Sequence, residues 1–249
     1  PTPMLHWPDS MVTYCPEEKI LFSNDAFGQH LASGSRFDDE NDLAVLYYEA
    51  KKYYANILTL YGRQAQTALK ALKDLPIEMI ATGHGIIWRS HVKEIHGLYE
   101  KWSTGVLEKR AVVVFDTMWH STEQMARTIT EAFQEKGIPA TFYDVKENAL
   151  SDIMTDILTS EYLAVGSPTI NNQMLPTIAA FLCYLKGLTA KGHKAFAFGS
   201  YGWGGQSIAL VENELKAAGC DIVLDKQRLL NTPDENTLEA LREAVHTII

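Results

Sequence analysis

Along the second half of the chain, short continuous apolar runs alternate with stretches whose apolar positions recur every three to four residues. Residues 111–115, Ala-Val-Val-Val-Phe, form the kind of run that a strand covered on both faces requires. Met125, Ala126, Ile129 and Phe133 then recur at helical spacing until Lys136 and Gly137 close the helix. The alternation repeats. It predicts strands at 140–145, 162–166, 194–199 and 221–225 and helices at about 150–159, 175–186, 206–218 and 233–248. Thr232 as cap, Pro233 at the first helical position and Glu235 completing a capping box predict the start of the last helix. Five strands alternating with helices imply an open parallel sheet wound on both sides, with ligands bound beyond the carboxyl ends of the strands where strand order reverses.

The first half is less regular. Residues 11–14 and 19–22 read as short strands around a Pro16-Glu17-Glu18 turn. Asp38, Asp39 and Glu40 are placed to open a long helix through about Leu58, as the helix dipole favours. A second helix is expected over roughly 64–74, a buried strand from Ile77 to Ala81, and a last helix from Ser90 that buries Val92, Ile95, Tyr99 and Trp102. Ser103, Thr104 and Gly105 read as a linker, so the 249 residues are expected to form two domains, 1–105 and 106–249.

Composition narrows the function classes. With 46% apolar and 21% charged residues and no long uncharged apolar run, neither a membrane span nor a secretory leader is expected. The net charge of −9 divides into 11 − 14 = −3 over residues 1–109 and 11 − 17 = −6 over 110–249, which makes nucleic acid an unsuitable partner. Such an acidic surface either steers a basic redox partner or serves solubility alone. Cys15, Cys183 and Cys220 form no C-x-x-C pair, which fits a reducing cytoplasm better than a disulfide scaffold.

Three loops leave the expected binding edge of the sheet. The first, Asp116-Thr117-Met118-Trp119-His120-Ser121-Thr122, runs straight into a helix N-terminus. Main-chain N–H groups, hydroxyls and the helix dipole can hold a phosphate there without a lysine. Ser121 or Thr122 serves equally as a plain helix cap. The loop has neither G-x-G-x-x-G nor the P-loop lysine, against a dinucleotide or a nucleoside triphosphate. The second, Ser167-Pro168-Thr169-Ile170-Asn171-Asn172, supplies amides and hydroxyls for a flavin's polar edge. The third, Ser200-Tyr201-Gly202-Trp203-Gly204-Gly205, adds aromatic faces and glycines that let the backbone approach a flat ring. Each alone can be an ordinary turn. Following strands one, three and four of a sheet ordered 2-1-3-4-5, together they resemble flavodoxin, the handling of FMN at a strand-order reversal being the known example of that rule.

In the first half, His6, Asp25 and His84 each sit just after an apolar run, and imidazole with carboxylate suits iron, manganese or zinc. Each is also an ordinary hydrogen-bonded loop residue when taken alone. His30, His91 and His96 read as surface or helix-face residues. The segments Thr-Pro-Met-Leu-His-Trp-Pro-Asp-Ser-Met (2–11), Leu-Phe-Ser-Asn-Asp-Ala-Phe-Gly-Gln-His (21–30), Tyr-Tyr-Ala-Asn-Ile-Leu (53–58) and Ala-Thr-Gly-His-Gly-Ile-Ile-Trp-Arg (81–89) resemble the flavodiiron proteins, also called rubredoxin:oxygen oxidoreductases or A-type flavoproteins.

The resemblance implies an α/β chain: the C-terminal half of a metallo-β-lactamase-like αββα domain, followed by a flavodoxin-like, doubly wound, five-stranded parallel sheet. It implies FMN and two iron ions, with His6 on one iron, His84 on the other, Asp25 bridging them, and Tyr53 or Tyr54 near the open face where the gas binds. Dioxygen or nitric oxide would be reduced with electrons from a rubredoxin-type donor, in a head-to-tail homodimer. The family's earlier H-x-E-x-D cluster does not occur here. The expectation is therefore a C-terminal portion, from cleavage, a split gene or a shortened chain, which alone binds iron weakly; the missing N-terminal half would be a partner. Two other classes remain open, an FMN electron carrier with a vestigial metal domain and a zinc hydrolase of lactamase-like fold fused to a flavodoxin domain.

Overall fold

The computed structural model describes residues 1–188 and 191–249, which divide into two compact units, Pro1–Val106 and Leu107–Ile249.

In the first unit, β1 (Thr13–Cys15) and β2 (Ile20–Asn24) form an antiparallel hairpin, and β3 (Met79–Thr82) lies parallel to β2. Alternation along β2 buries Leu21 and Ser23 and leaves Phe22 and Asn24 exposed. Leu21 and Ile80 thus meet the helical side, near Leu72 of α2 (Gly62–Leu72) and Val92 of α3 (Val92–Ser103).

The long helix expected from Asp38 to Leu58 is broken into parts. Asp38–Glu40 makes one separate turn, α1 spans Leu43–Tyr53, and a wide turn with i→i+5 bonding follows over Tyr54–Leu58. The cause is a diverted carboxylate. Asp38 is fully buried and accepts main-chain N–H groups from Arg89, Ser90 and His91 at 2.7–3.2 Å, so it cannot serve a helix start. Asp42 does that instead, accepting Ala44 N–H at 2.9 Å.

In the second unit the strands are β4 (Glu108–Phe115), β5 (Ala140–Asp144), β6 (Ser160–Gly166), β7 (Lys194–Tyr201), β8 (Asp221–Ile222) and β9 (Gln227–Leu230), all pairing in parallel. The spatial order is β5-β4-β6-β7, with β8 and β9 both beside β7, which is the expected 2-1-3-4-5 path. Val112 and Val114 join the core on one face with Ile153, Phe181 and Val211; Val113 and Phe115 join the other with Ile129, Phe133 and Val245. Helices α5 (Leu150–Ile157), α6 (Pro176–Leu188) and α7 (Gln206–Ala218) cover the first face, and α4 (Ser121–Glu135) and α8 (Glu235–His246) the second. Each such valine contributes roughly 1.5–3 kcal/mol by leaving water.

Two sequence expectations change here. The strand expected at 221–225 is interrupted, because Ala195 pairs with Ile222 but Phe198 pairs with Gln227, so the partner strand carries two extra residues. Lys226 leaves the ladder at that break and reaches the Glu212 carboxylate at 3.5 Å. The last helix begins two residues later than expected: Asp234 is the cap, accepting Thr237 N–H at 2.8 Å in a capping box.

Candidate metal and cofactor sites

The loop after β2 carries Asp25, the loop after β3 carries His84, and the N-terminal segment brings His6 to the other oxygen of the Asp25 carboxylate. His6 Nε2 lies 3.5 Å from Asp25 Oδ2 and His84 Nε2 lies 3.7 Å from Asp25 Oδ1. Each imidazole therefore addresses its own oxygen of one carboxylate, the arrangement of a bridging ligand between two cations. Among the described residues no three His, Cys, Asp or Glu side chains converge on one point. Two positions with two donors each agree with that finding, since Asp25 is shared.

Of the two tyrosines, Tyr53 belongs to this site. Its ring is 4.9 Å from that of His84 and 5.0 Å from that of His30, while Tyr54 packs on Tyr99 and Trp102 at 5.1 and 5.4 Å. Both hydroxyls are buried without a hydrogen-bond partner. Burial, and then the Asp25 charge, push the Tyr53 phenol well above its ordinary pKa; burial alone does so for Tyr54. An unpartnered phenol beside a carboxylate and two imidazoles is a polar atom awaiting a ligand.

Of the other histidines, His30 and His96 stand as the sequence reading had them, and only His91, half-buried ahead of α3, departs from it. His30 is exposed, but its ring is 5.1 Å from that of His84, at the mouth of this site. His91 Nδ1 bonds buried Asp38 at 2.9 Å, while His96 stacks on Phe27 from its helix face as expected.

In the second unit the three loops meet at the carboxyl ends of β4, β6 and β7. Two glycines allow this. A Cβ on Gly199 would lie 2.0 Å from the Ser167 carbonyl oxygen, and one on Gly166 would lie 2.3 Å from the Phe198 ring. The loops enclose a cavity of about 270 Å³ lined by Met118, Trp119, Ser121, Pro168, Thr169, Ser200, Tyr201 and Gly202. Asn231 and Thr232 also line it and were missed, because Thr232-Pro233 reads as a helix start. Their position after the fifth strand, on the same sheet edge as the other loops, was the available signal.

The remaining loop residues do other work. Ser167 Oγ accepts Leu175 N–H and donates to the Pro168 carbonyl, and Ile170 pairs with Gln173 across a turn that holds Asn171 and Asn172 at positive φ. Thr122 and Ser200 bond each other at 3.0 Å. Thr117 is buried, while His120, Trp203, Gly204 and Gly205 do not line the cavity. Asp116 anchors the first loop by accepting from Thr117 N–H, Thr177 and Lys146. Helix α4 has no side-chain cap: its N-cap residue is His120, at φ 64°, so neither Ser121 nor Thr122 plays that part. Uncapped N–H groups beside the Ser121 hydroxyl suit a phosphate, and the open space at Gly202 suits a flat ring. The donor set fits FMN.

Two family models match the chain, flavodoxin over residues 113–247 and the ODP family beta lactamase over residues 1–85. The chain belongs to the flavodiiron protein family. Among similar proteins, a nitric oxide reductase of Moorella thermoacetica is 42% identical over 225 residues, covering 90% of this chain and 56% of that one. The rubredoxin oxygen:oxidoreductase of Desulfovibrio gigas superposes with a TM-score of 0.95 at 36% identity, over 99% of this chain and 63% of that one. The flavodiiron protein of Giardia intestinalis gives 0.96 at 35%, over 100% and 62%. As a flavodiiron sequence, this chain spans about half the length of the curated relatives it matches. Among its described residues no helix is long and apolar enough to cross a membrane.

Proposed function

We propose that this chain is the flavin-binding and partial metal-binding portion of a flavodiiron oxidoreductase that reduces dioxygen to water, nitric oxide to nitrous oxide, or both. The carrying observation is that one chain holds both a hydroxyl-lined cavity at a strand-order reversal and a carboxylate flanked by two imidazoles. FMN and iron would together supply the two-electron storage and the gas-binding centre.

The chain's own part is positional. Ser121, Thr169 and Ser200 with the start of α4 hold the flavin, His6 and His84 each present a nitrogen to one metal position, and Asp25 spans both. Tyr53, whose ring lies 4.9 Å from that of His84, has a buried hydroxyl without a partner that could donate to a ligand held here. Two irons need more donors than His6, Asp25 and His84 supply, so further ligands come from polypeptide other than these residues. In the same reading electrons arrive from a rubredoxin-type donor, a second copy pairs head to tail, and three free cysteines suit a reducing cytoplasm.

The test is to load the protein with FMN and ferrous iron, reduce it anaerobically and mix it with dioxygen or nitric oxide. Flavin reoxidation should keep pace with consumption of at least one gas. Flavin reoxidation without iron-dependent gas consumption favours a simple FMN carrier, the reading that the lack of a three-donor metal group among the described residues also suits. Denaturing mass spectrometry of the purified material shows whether a second polypeptide accompanies the chain.

A further inference from the structure

We propose that Gln29 is a positioning residue for the metal site: its main-chain carbonyl holds the His84 imidazole with Nε2 free for a cation, and its side-chain amide locks together the two loops that make this contact. The inference rests on the diiron reading above. Gln29 is fully buried. Its Nε2 donates to the carbonyls of Phe27 and Ile86, both at 3.2 Å, and its Oε1 accepts Ile86 N–H at 2.6 Å. One side chain thus ties the loop that carries Asp25 to the loop that carries His84.

The Gln29 carbonyl oxygen lies 3.2 Å from His84 Nδ1. A carbonyl only accepts, so Nδ1 carries a proton, and in the neutral ring Nε2 then holds the lone pair. Nε2 is also the nitrogen that faces Asp25 Oδ1. Two acceptors facing each other 3.7 Å apart repel unless a cation or a proton lies between them. The clamp therefore holds the ring in the form a cation needs, at an electrostatic cost that the cation removes. The packing has no slack: a Cβ on Gly28 would lie 2.8 Å from His84 Cε1, and one on Gly85, at φ +85°, would lie 2.2 Å from Gln29 Oε1.

The test reads the His84 ring nitrogens by long-range proton–nitrogen NMR in the metal-free protein, in alkaline buffer where imidazole is neutral. The wild type should show a proton on Nδ1 and a lone pair on Nε2. Gln29→Met keeps the side chain's bulk but loses both donors and the amide oxygen, and should shift His84 toward the Nε2–H form that free imidazoles prefer. It should also weaken cobalt(II) binding, followed at the same nitrogens, by about 10- to 100-fold. Gln29→Glu, which keeps the acceptor for Ile86, should fall between. A wild-type His84 protonated on Nε2 overturns the proposal, and this reading stands even where Gln29→Met fails to fold. A folded Gln29→Met with unchanged tautomer and unchanged cobalt affinity overturns it as well. The expected wild-type tautomer without any cobalt effect at Nε2 supports the clamp and counts against the diiron reading instead.

Discussion

Around the cavity at the sheet edge several side chains satisfy one another: Thr122 bonds Ser200, Thr169 bonds Ser207, and Asp116 behind them accepts hydrogen bonds from Thr117 N–H, Thr177 and Lys146, while the N–H groups at the start of α4 stay uncapped. Around Asp25 the reverse holds, with the lone pair of His84 Nε2 turned toward a carboxylate and the Tyr53 hydroxyl buried without a partner. The first site is a mould of partnered side chains around the uncapped start of α4. The second stores unmet electrostatics that a cation relieves. The flavin side should therefore be indifferent to metal, and the metal side should gain stability from it.

The largest effect is expected at Asp38, which organises the first unit from outside its site. Burial alone would raise its carboxyl pKa, but the N–H groups of Arg89, Ser90 and His91 and the His91 ring hold it below the usual aspartate range. Its stabilising contribution is therefore complete above the unfolded-state pKa and is lost as pH falls through the lower folded value. Asp38→Ala leaves buried donors unpaired and should cost about 3–5 kcal/mol in urea unfolding, with the acid-side loss abolished, while flavin titration is unchanged. A variant that also stops binding flavin breaks the contrast between the units.

Next comes Asp25→Asn, which should weaken cobalt or iron binding by at least about 100-fold in equilibrium dialysis, beyond what loss of an outer-shell contact does. Metal-free stability should stay level or rise, since the carboxylate's repulsion of the facing nitrogen is reduced. Gly199→Ala acts on the other site: its Cβ would collide with the Ser167 carbonyl, so about 2 kcal/mol of stability and the flavin affinity should fall together. The smallest effect is His120→Gly, which relieves a left-handed φ of 64° at the start of α4 and should raise stability by roughly 0.5 kcal/mol in thermal or urea melts.

The sheet and its loop cluster were legible because continuous apolar runs such as 111–115 admit few other structures, and strand order then decides which loops meet. The metal-side residues were legible as positions after apolar runs, but their grouping came only from the family resemblance, since His6, Asp25 and His84 approach through the folding of three separate segments. Local patterns also misled where a long-range contact overrode them. Asp38 looked like a helix opener and instead holds a loop some fifty residues away. Thr232 looked like a cap and instead lines the cavity. His30 and Gln29 lie in the 21–30 segment that carries the family resemblance, but nothing local marks their roles, which depend on the ring or main-chain group that stands opposite.

The most direct measurement is a paired fluorescence titration of the 249-residue protein with FMN and with riboflavin, which lacks the phosphate. The cavity beside the uncapped start of α4 predicts a single saturating quench with FMN and markedly weaker binding of riboflavin. Equal affinity for the two, or no quench with FMN, would contradict a phosphate seat at Ser121 and with it the electron path built on that seat.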